Sequence, residues 1–279
     1  MSYTEKEIHA LRKIAATLRG NLIEMIPPGK VGHLGGSSSI MDIVAALYFK
    51  HMNVFDDPKD PRRDRCIFSK GHAVLAQYAA FVELGYVSHE DLHKVKTLDG
   101  TLQGQPDMDH TPGIEAVTGS LGQGLSVALG MALGLRLDGS ASRVYCVVGD
   151  GEMDEGQIWE AAMAGAAFGA DNLVAIVDRN RVQATDVIDK VLPEGDVPGK
   201  WAAFGWNVIE IDGHDFVQIL GALDAAKLLK DRPTAIIADT VKGKGFPFAE
   251  GKAAYHNAAM NEAEYQIALE MVQKMKEEA

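Results

Sequence analysis

The stretch Arg143-Val144-Tyr145-Cys146-Val147-Val148-Gly149-Asp150-Gly151 decides how this chain is read. Residues 143–148 are mostly apolar, as a buried strand requires, and they stop in a tight Gly-Asp-Gly turn. Residues 173–177 (Leu-Val-Ala-Ile-Val) repeat the pattern and stop in Asp178-Arg179-Asn180. One helix-length segment, 157–168, lies between them. Strand, helix and strand form a βαβ unit. If its strands are parallel neighbours, the carboxylate of Asp150 and the amide of Asn180 emerge at one sheet edge, where open α/β sheets bind ligands. One carboxylate plus one amide oxygen, with coordination positions to spare, suits Mg2+ shared with substrate phosphates.

Taken singly, each residue has an ordinary explanation. Asp150 could cap the helix after its strand, and Asn180 could be a turn residue. Their joint occurrence points to a metal–diphosphate site. The flanking glycines let the backbone approach a bulky anion, and the amides of a helix start attract phosphate.

The rest of the chain supplies the frame. Its 279 residues are 47% hydrophobic, enough for a sizeable core. Further strands are expected over 65–68, 206–211 and 234–239. Helices are expected over 4–26, 40–50, 74–84, 88–96, 125–137, 216–229 and 262–276. This alternation predicts an α/β fold in one domain, a mostly parallel sheet with helices on both faces. Residues 30–39 (Lys-Val-Gly-His-Leu-Gly-Gly-Ser-Ser-Ser) read as a loop too polar for the core, its serines capping the next helix. Residues 99–120 and 241–257 read as long irregular loops. The Gly- and Ala-rich helix 125–137 is expected to pack closely on another helix or on a second chain.

Net charge is −12, which argues against nucleic acid or an anionic membrane as the main partner. The two cysteines, Cys66 and Cys146, sit in apolar runs and read as buried thiols in a reducing compartment. No apolar signal core or membrane-length window is present, so the cytoplasm is the expected location. Gly122-Gln123-Gly124 lacks the third small residue of a dinucleotide fingerprint, and Lys242-Gly243-Lys244-Gly245 does not fit a phosphate-binding P-loop. Of nine histidines, His9, His51, His89 and His93 are expected on the surface. His33, His72, His110, His214 and His256 lie in loops. Three or more of these converging at one sheet edge would make a proton-handling site.

Five blocks together resemble one family. They are Val31-Gly-His-Leu-Gly-Gly, Phe68-Ser-Lys-Gly-His, Thr118-Gly-Ser-Leu-Gly-Gln-Gly, Gly149-Asp-Gly-Glu-Met-Asp-Glu-Gly with Asn180, and Val241-Lys-Gly-Lys-Gly with Tyr255-His256. They occur in the order seen in transketolases and span nearly the whole chain, which resembles the N-terminal subunit of a split transketolase. The resemblance implies the thiamine diphosphate-binding fold and the diphosphate-binding domain of that family. It implies that Asp150, Asn180 and the carbonyl of Val182 hold Mg2+ (or Ca2+ or Mn2+ in its place). It puts Gly151, His72 and His256 on the diphosphate, Gly119, Ser120 and Leu121 along the cofactor, and Asp178 near the thiazolium. His33 and His256 would contact sugar hydroxyls and assist proton transfer, and Glu155 would lie in a subunit interface linking two active sites.

The resemblance also has departures. Gly104-Gln105-Pro106 stands where transketolases usually have Gly-His-Pro. Gln105 can hydrogen-bond but cannot carry a proton as imidazole does, which points away from an ordinary pentose-phosphate donor and toward a modified or branched sugar phosphate. Tyr255-His256-Asn257 replaces the more usual Trp-His-Gly. None of the five blocks belongs to the pyrimidine-binding domain, which carries the activating glutamate in this family and is expected on a partner chain. The resemblance therefore implies a C-terminal partner subunit bearing it, in an α2β2 heterotetramer, and ketol transfer from a sugar phosphate to an aldose. A 1-deoxyxylulose-5-phosphate synthase-like or 2-oxo acid decarboxylating component, and a non-catalytic homologue, are the alternatives.

Overall fold

The computed structural model describes residues 3–279. Five strands, β1 (Arg65–Phe68), β2 (Val144–Gly149), β3 (Leu173–Arg179), β4 (Asn207–Asp212) and β5 (Thr234–Asp239), form one sheet in the order β1-β2-β3-β5-β4. Every pair is parallel, as the βαβ reading expects. In β2, Tyr145 and Val147 enter the core on one face, and Val144, Cys146 and Val148 enter a second core on the other. A strand buried on both faces must be apolar at every position, which is why it reads as a continuous run.

Helices cover both faces. On the Tyr145 side lie α1 (Glu5–Met25), α2 (Leu34–Ser39), α3 (Met41–Ala46), α4 (Val74–Glu83) and α9 (Phe216–Leu228). On the other lie α5 (Gln123–Leu137), α6 (Gly156–Ala167) and α8 (Val197–Ala203). A short helix α7 (Ile188–Val191) follows β3, and α10 (Glu262–Glu278) packs on α1. Thr4 and Glu7 form a capping box that starts α1, and Asn261 and Glu264 form another that starts α10.

Four expectations need correction. Residues 34–39 are not a polar loop but the fully buried helix α2. Its hydroxyls are satisfied inside the protein: Ser39 Oγ donates to Asp178 Oδ2 at 2.7 Å and Ser38 Oγ to the Lys244 carbonyl. Its glycines permit the close approach, since a Cβ on Gly35 would lie 2.9 Å from both Lys242 Cγ and the Tyr255 carbonyl. The serines therefore bind the core rather than cap the next helix, and the expected helix 40–50 is α3 followed by a π-turn over Leu47–His51. His51 is likewise buried, its Nε2 lying 3.0 Å from the Tyr145 hydroxyl. Helices α7 and α8 have no counterpart among the sequence expectations.

The loop 99–120 is irregular, as expected, and is tied down by Thr118 Oγ1 on the Phe68 carbonyl at 2.7 Å and by the Tyr78 hydroxyl on the Gln105 carbonyl at 3.2 Å. Cys66 and Cys146 are free and buried. Among the described residues, no helix is long and apolar enough to cross a membrane.

Candidate functional site

The C-terminal ends of β1, β2, β3 and β5 reach one sheet edge, and each continues into a segment that helps build a single cleft. These segments are Ser69–His72, Asp150–Glu152, Asn180–Gln183 and Thr240–Lys242, and the cleft encloses about 170 Å³. Gly149 and Asp178 are directly paired across β2 and β3, so Asp150 and Asn180 follow at the same edge.

Asp178 is fully buried beneath the cleft and anchors it. It pairs with the ammonium of Lys70 and accepts bonds from Ser39 Oγ at 2.7 Å, Thr240 Oγ1, and Asn180 Nδ2 at 3.0 Å. Burial works against its charge, but Lys70 and these donors hold its pKa below the ordinary carboxylate value. Asp178 thus joins four separate segments.

Asp150 is in the opposite electrostatic position. Burial and the like charge of Asp178 push its carboxyl up to about 7, although the amides of Arg181 and Gly151 donate to it. Arg181 takes a left-handed φ of 63°, a costly conformation for a residue other than glycine, and this turn aims its amide at Asp150. Beside it, Asn180 Oδ1 accepts the Val182 amide at 3.2 Å. The carbonyl of Val182 accepts the ammonium of Lys242 at 2.7 Å. A carboxylate short of positive charge, an amide oxygen and a carbonyl already facing a cation make a hard-oxygen donor set that fits Mg2+.

Three of the five loop histidines converge. Ring centroids are 5.2 Å apart for His33 and His72, 5.6 Å for His33 and His256, and 4.9 Å for His72 and His256. Burial lowers all three, with help from nearby lysines: His33 and His256 to about 4 and His72 to about 2. They are neutral at pH 7. His256 Nδ1 lies 2.9 Å from the Lys242 ammonium, which can only donate, so the His256 proton sits on Nε2. His33 Nδ1 is buried without a hydrogen-bond partner. His110 instead pairs with Asp107 in an exposed loop, and His214 with Asp42.

Of the other expected site residues, Gly151 and Leu121 line the cleft. Gly119 packs against Gly71, where a Cβ on Gly71 would come within 2.8 Å of Gly119 backbone and 2.7 Å of Gln105 Oε1. Gln105 and Ser120 are exposed beside these glycines. Glu155 is exposed at the start of α6, away from the cleft lining.

Sequence reasoning missed Lys70, Lys242 and Glu152. Glu152 is buried, accepting from Ser69 Oγ at 2.6 Å, Gly122 N at 2.9 Å and Gly149 N at 3.0 Å, so it ties together three of the site's turns. Burial lowers Lys242 to about 8. The available signal was position: each lysine lies two or three residues past the end of an expected strand, in a glycine-bearing turn. His214 was also missed as a support. Its Nε2 accepts the Val241 amide at 2.9 Å and its Nδ1 lies 2.8 Å from Asp42, which Arg19 holds in turn at 2.8 Å. This network fixes the turn carrying Lys242.

Residues 10–273 match the family described as transketolase, thiamine diphosphate binding domain. The chain belongs to the transketolase family. It is 42% identical over 267 residues to a 6-deoxy-6-sulfo-D-fructose transketolase subunit of Clostridium sp. (strain MSTE9), covering 95% of this chain and 96% of that one. It is 38% identical over 265 residues to an apulose-4-phosphate transketolase subunit of Phocaeicola vulgatus, covering 93% and 94%. The crystal structure of transketolase from Campylobacter jejuni superposes with a TM-score of 0.87 at 31% identity. The match covers 98% of this chain but 43% of that one, so the chain spans less than half of that transketolase. Its fold is the α/β diphosphate-binding fold of this family, and its full-length relatives are transferase subunits.

Proposed function

We propose that this chain is the N-terminal subunit of a split transketolase that works with thiamine diphosphate and Mg2+. The observation that carries the reading is the convergence, at one sheet edge, of the Asp150, Asn180 and Val182 oxygens with Lys242 and the three neutral histidines.

In this reading Asp150, Asn180 and the Val182 carbonyl hold the cation. The Gly151 amide, His72 and His256 bind the diphosphate, and Lys242, beside them, adds positive charge. Gly119, Ser120 and Leu121 flank the cofactor, and Asp178 fixes the floor beneath it. When bound, the cofactor supplies the electron sink for breaking a carbon–carbon bond next to a carbonyl. The chain supplies proton handling at the sugar: His256 presents Nε2–H as a donor, and neutral His33 takes up a hydroxyl proton and returns it. Gln105 orients the sugar by hydrogen bonds without moving a proton.

The donor is a ketose bearing a terminal anion, the acceptor an aldose. Gln105 in place of the usual histidine and the sugars named for two relatives support a donor other than an ordinary pentose phosphate. Exposed Glu155 meets a neighbouring protomer in this reading. The partner carries the pyrimidine-binding domain, and two copies of each chain assemble. Two buried free thiols suit the reducing cytoplasm, to which we assign the assembly.

Ketol transfer assayed with the purified chain, and again after mixing with its partner, tests the split. Activity is expected only in the mixture. Full rates from this chain alone would sink the reading.

A further inference from the structure

Two of the surface histidines meet a carboxylate from another element. His89 and His93 lie on a short 3-10 helix, His89–Lys94, which packs on α1. Leu92, fully buried, seats this helix on the core, and the Ser88–Asp91 capping box fixes its start. Both histidines stay exposed, and Glu24 in the last turn of α1 stands beside them. Glu24 Oε2 lies 3.4 Å from His89 Nε2, and the two histidine rings stand 6.4 Å apart at 70°. One carboxylate oxygen and one nitrogen of each ring all lie within 4.8 Å of one another. Among the described residues, no other group of three His, Cys, Asp or Glu side chains converges as tightly.

An exposed Glu–His ion pair contributes little by itself and gives no reason for a second imidazole to join it. A shared cation does. Zn2+ holds nitrogen and carboxylate ligands at about 2.0–2.2 Å in a tetrahedral array, which spaces neighbouring ligand atoms about 3.4 Å apart. Glu24 and His89 already have that spacing. His93 has at most 4.8 Å to close, a rotamer adjustment open to an exposed side chain. Three protein ligands leave the fourth position to water, which the exposure of both histidines admits. Two imidazoles among three ligands favour Zn2+ and its late transition-metal neighbours over Mg2+, which takes oxygen ligands.

We propose that Glu24, His89 and His93 form a surface site for a divalent late transition metal, with Zn2+ as its probe. None of the three lines the cleft. The bound ion fastens to α1 the short helix that leads into the loop 99–120, and so steadies the segment carrying Gln105. The inference stands on these three side chains and does not rest on the transketolase reading.

The test is calorimetric titration of Zn2+ into the full chain as wild type, His89→Gln/His93→Gln, Glu24→Gln and His9→Gln. His9 is an exposed histidine of α1 outside the group. Any Zn2+ held in the cleft is common to all four proteins and cancels in the comparison. The double variant is expected to bind one Zn2+ fewer per chain, Glu24→Gln to bind that ion about tenfold or more weakly, and His9→Gln to match the wild type. Zn2+ is expected to raise the unfolding midpoint of the wild type more than that of the double variant, and excess Mg2+ to leave that difference in place. Without Zn2+ the midpoints should nearly coincide, because the substituted side chains are not in the core, and this separates lost metal binding from lost folding. Equal Zn2+ stoichiometry and affinity in the wild type and the double variant overturns the site, as does displacement of the ion by Mg2+. Wild-type affinity in Glu24→Gln overturns the three-ligand assignment.

Discussion

Asp178 and Asp150, adjacent at one sheet edge, show how environment sets the task of a carboxylate. Asp178 has its own cation and a full set of donors, and it holds the floor of the cleft rigid. Lys70→Met would leave that carboxylate buried and unpaired, and should cost about 3–5 kcal/mol in urea unfolding. The double variant Lys70→Met/Asp178→Asn should recover much of the loss; equal destabilisation by both would contradict the pairing. Lys242→Met should weaken thiamine diphosphate binding to the assembled complex about tenfold or more while leaving the unfolding midpoint nearly unchanged. His51 carries a pH prediction. Its ordinary value is 6.5, and burial, then Lys227, depress it to about 3 in the fold. The unfolded chain binds the extra proton between these values, so the contribution of His51 is complete above pH 6.5 and is lost as pH falls toward 3. The unfolding free energy of His51→Gln should depend less steeply on pH across that window than the wild type's; parallel curves would refute the assignment. Asp150 and Asn180 were legible in the sequence because turn residues after apolar runs mark a sheet edge. Lys70 and Lys242 were not. Lysine is normally a surface residue, and the partners that bury these two arrive from distant segments.

Among elements, the strands were legible and α2 was not, for one physical reason. A strand covered on both faces is apolar at every residue and announces itself locally. The sequence of α2, Leu-Gly-Gly-Ser-Ser-Ser, has no apolar periodicity, and its burial depends on Asp178 and the Lys244 carbonyl, which only the folded chain brings near. The short helices α7 and α8 lie in the segment between β3 and β4, where no apolar period marks them. The role of α2 makes its glycines a sensitive point. Gly35→Ala would press on Lys242 and on the Tyr255 backbone, and so on the turns carrying Lys242 and His256. Overpacking of this kind costs about 1–3 kcal/mol, to be read as a lowered unfolding midpoint together with weaker cofactor binding. An unchanged midpoint and affinity would mean that α2 does not hold these turns in place.

At the scale of the whole molecule, the sheet edge has the features of half a site. The cleft collects cations, neutral histidines and oxygen donors, yet apolar side chains stay exposed beside it: Leu121 in its lining at 38%, and Val187, bridged to Val182, at 38%. An apolar rim beside a polar cleft suits a surface that another chain covers. The small residues of helix α5 predict close packing. It does pack on β2 and α6, but a Cβ on Gly130 or Gly134 would meet nothing within 4 Å, so these two positions remain open on its outer side. The central claim is that Asp150 and Asn180 anchor the cofactor's diphosphate through a divalent cation. Calorimetric titration of thiamine diphosphate into the complex of this chain with its partner, with Mg2+ and with a chelator, tests it most directly. The account predicts binding by the wild type that requires Mg2+ and is lost in Asp150→Ala; equal binding by Asp150→Ala, or binding indifferent to Mg2+, would contradict it.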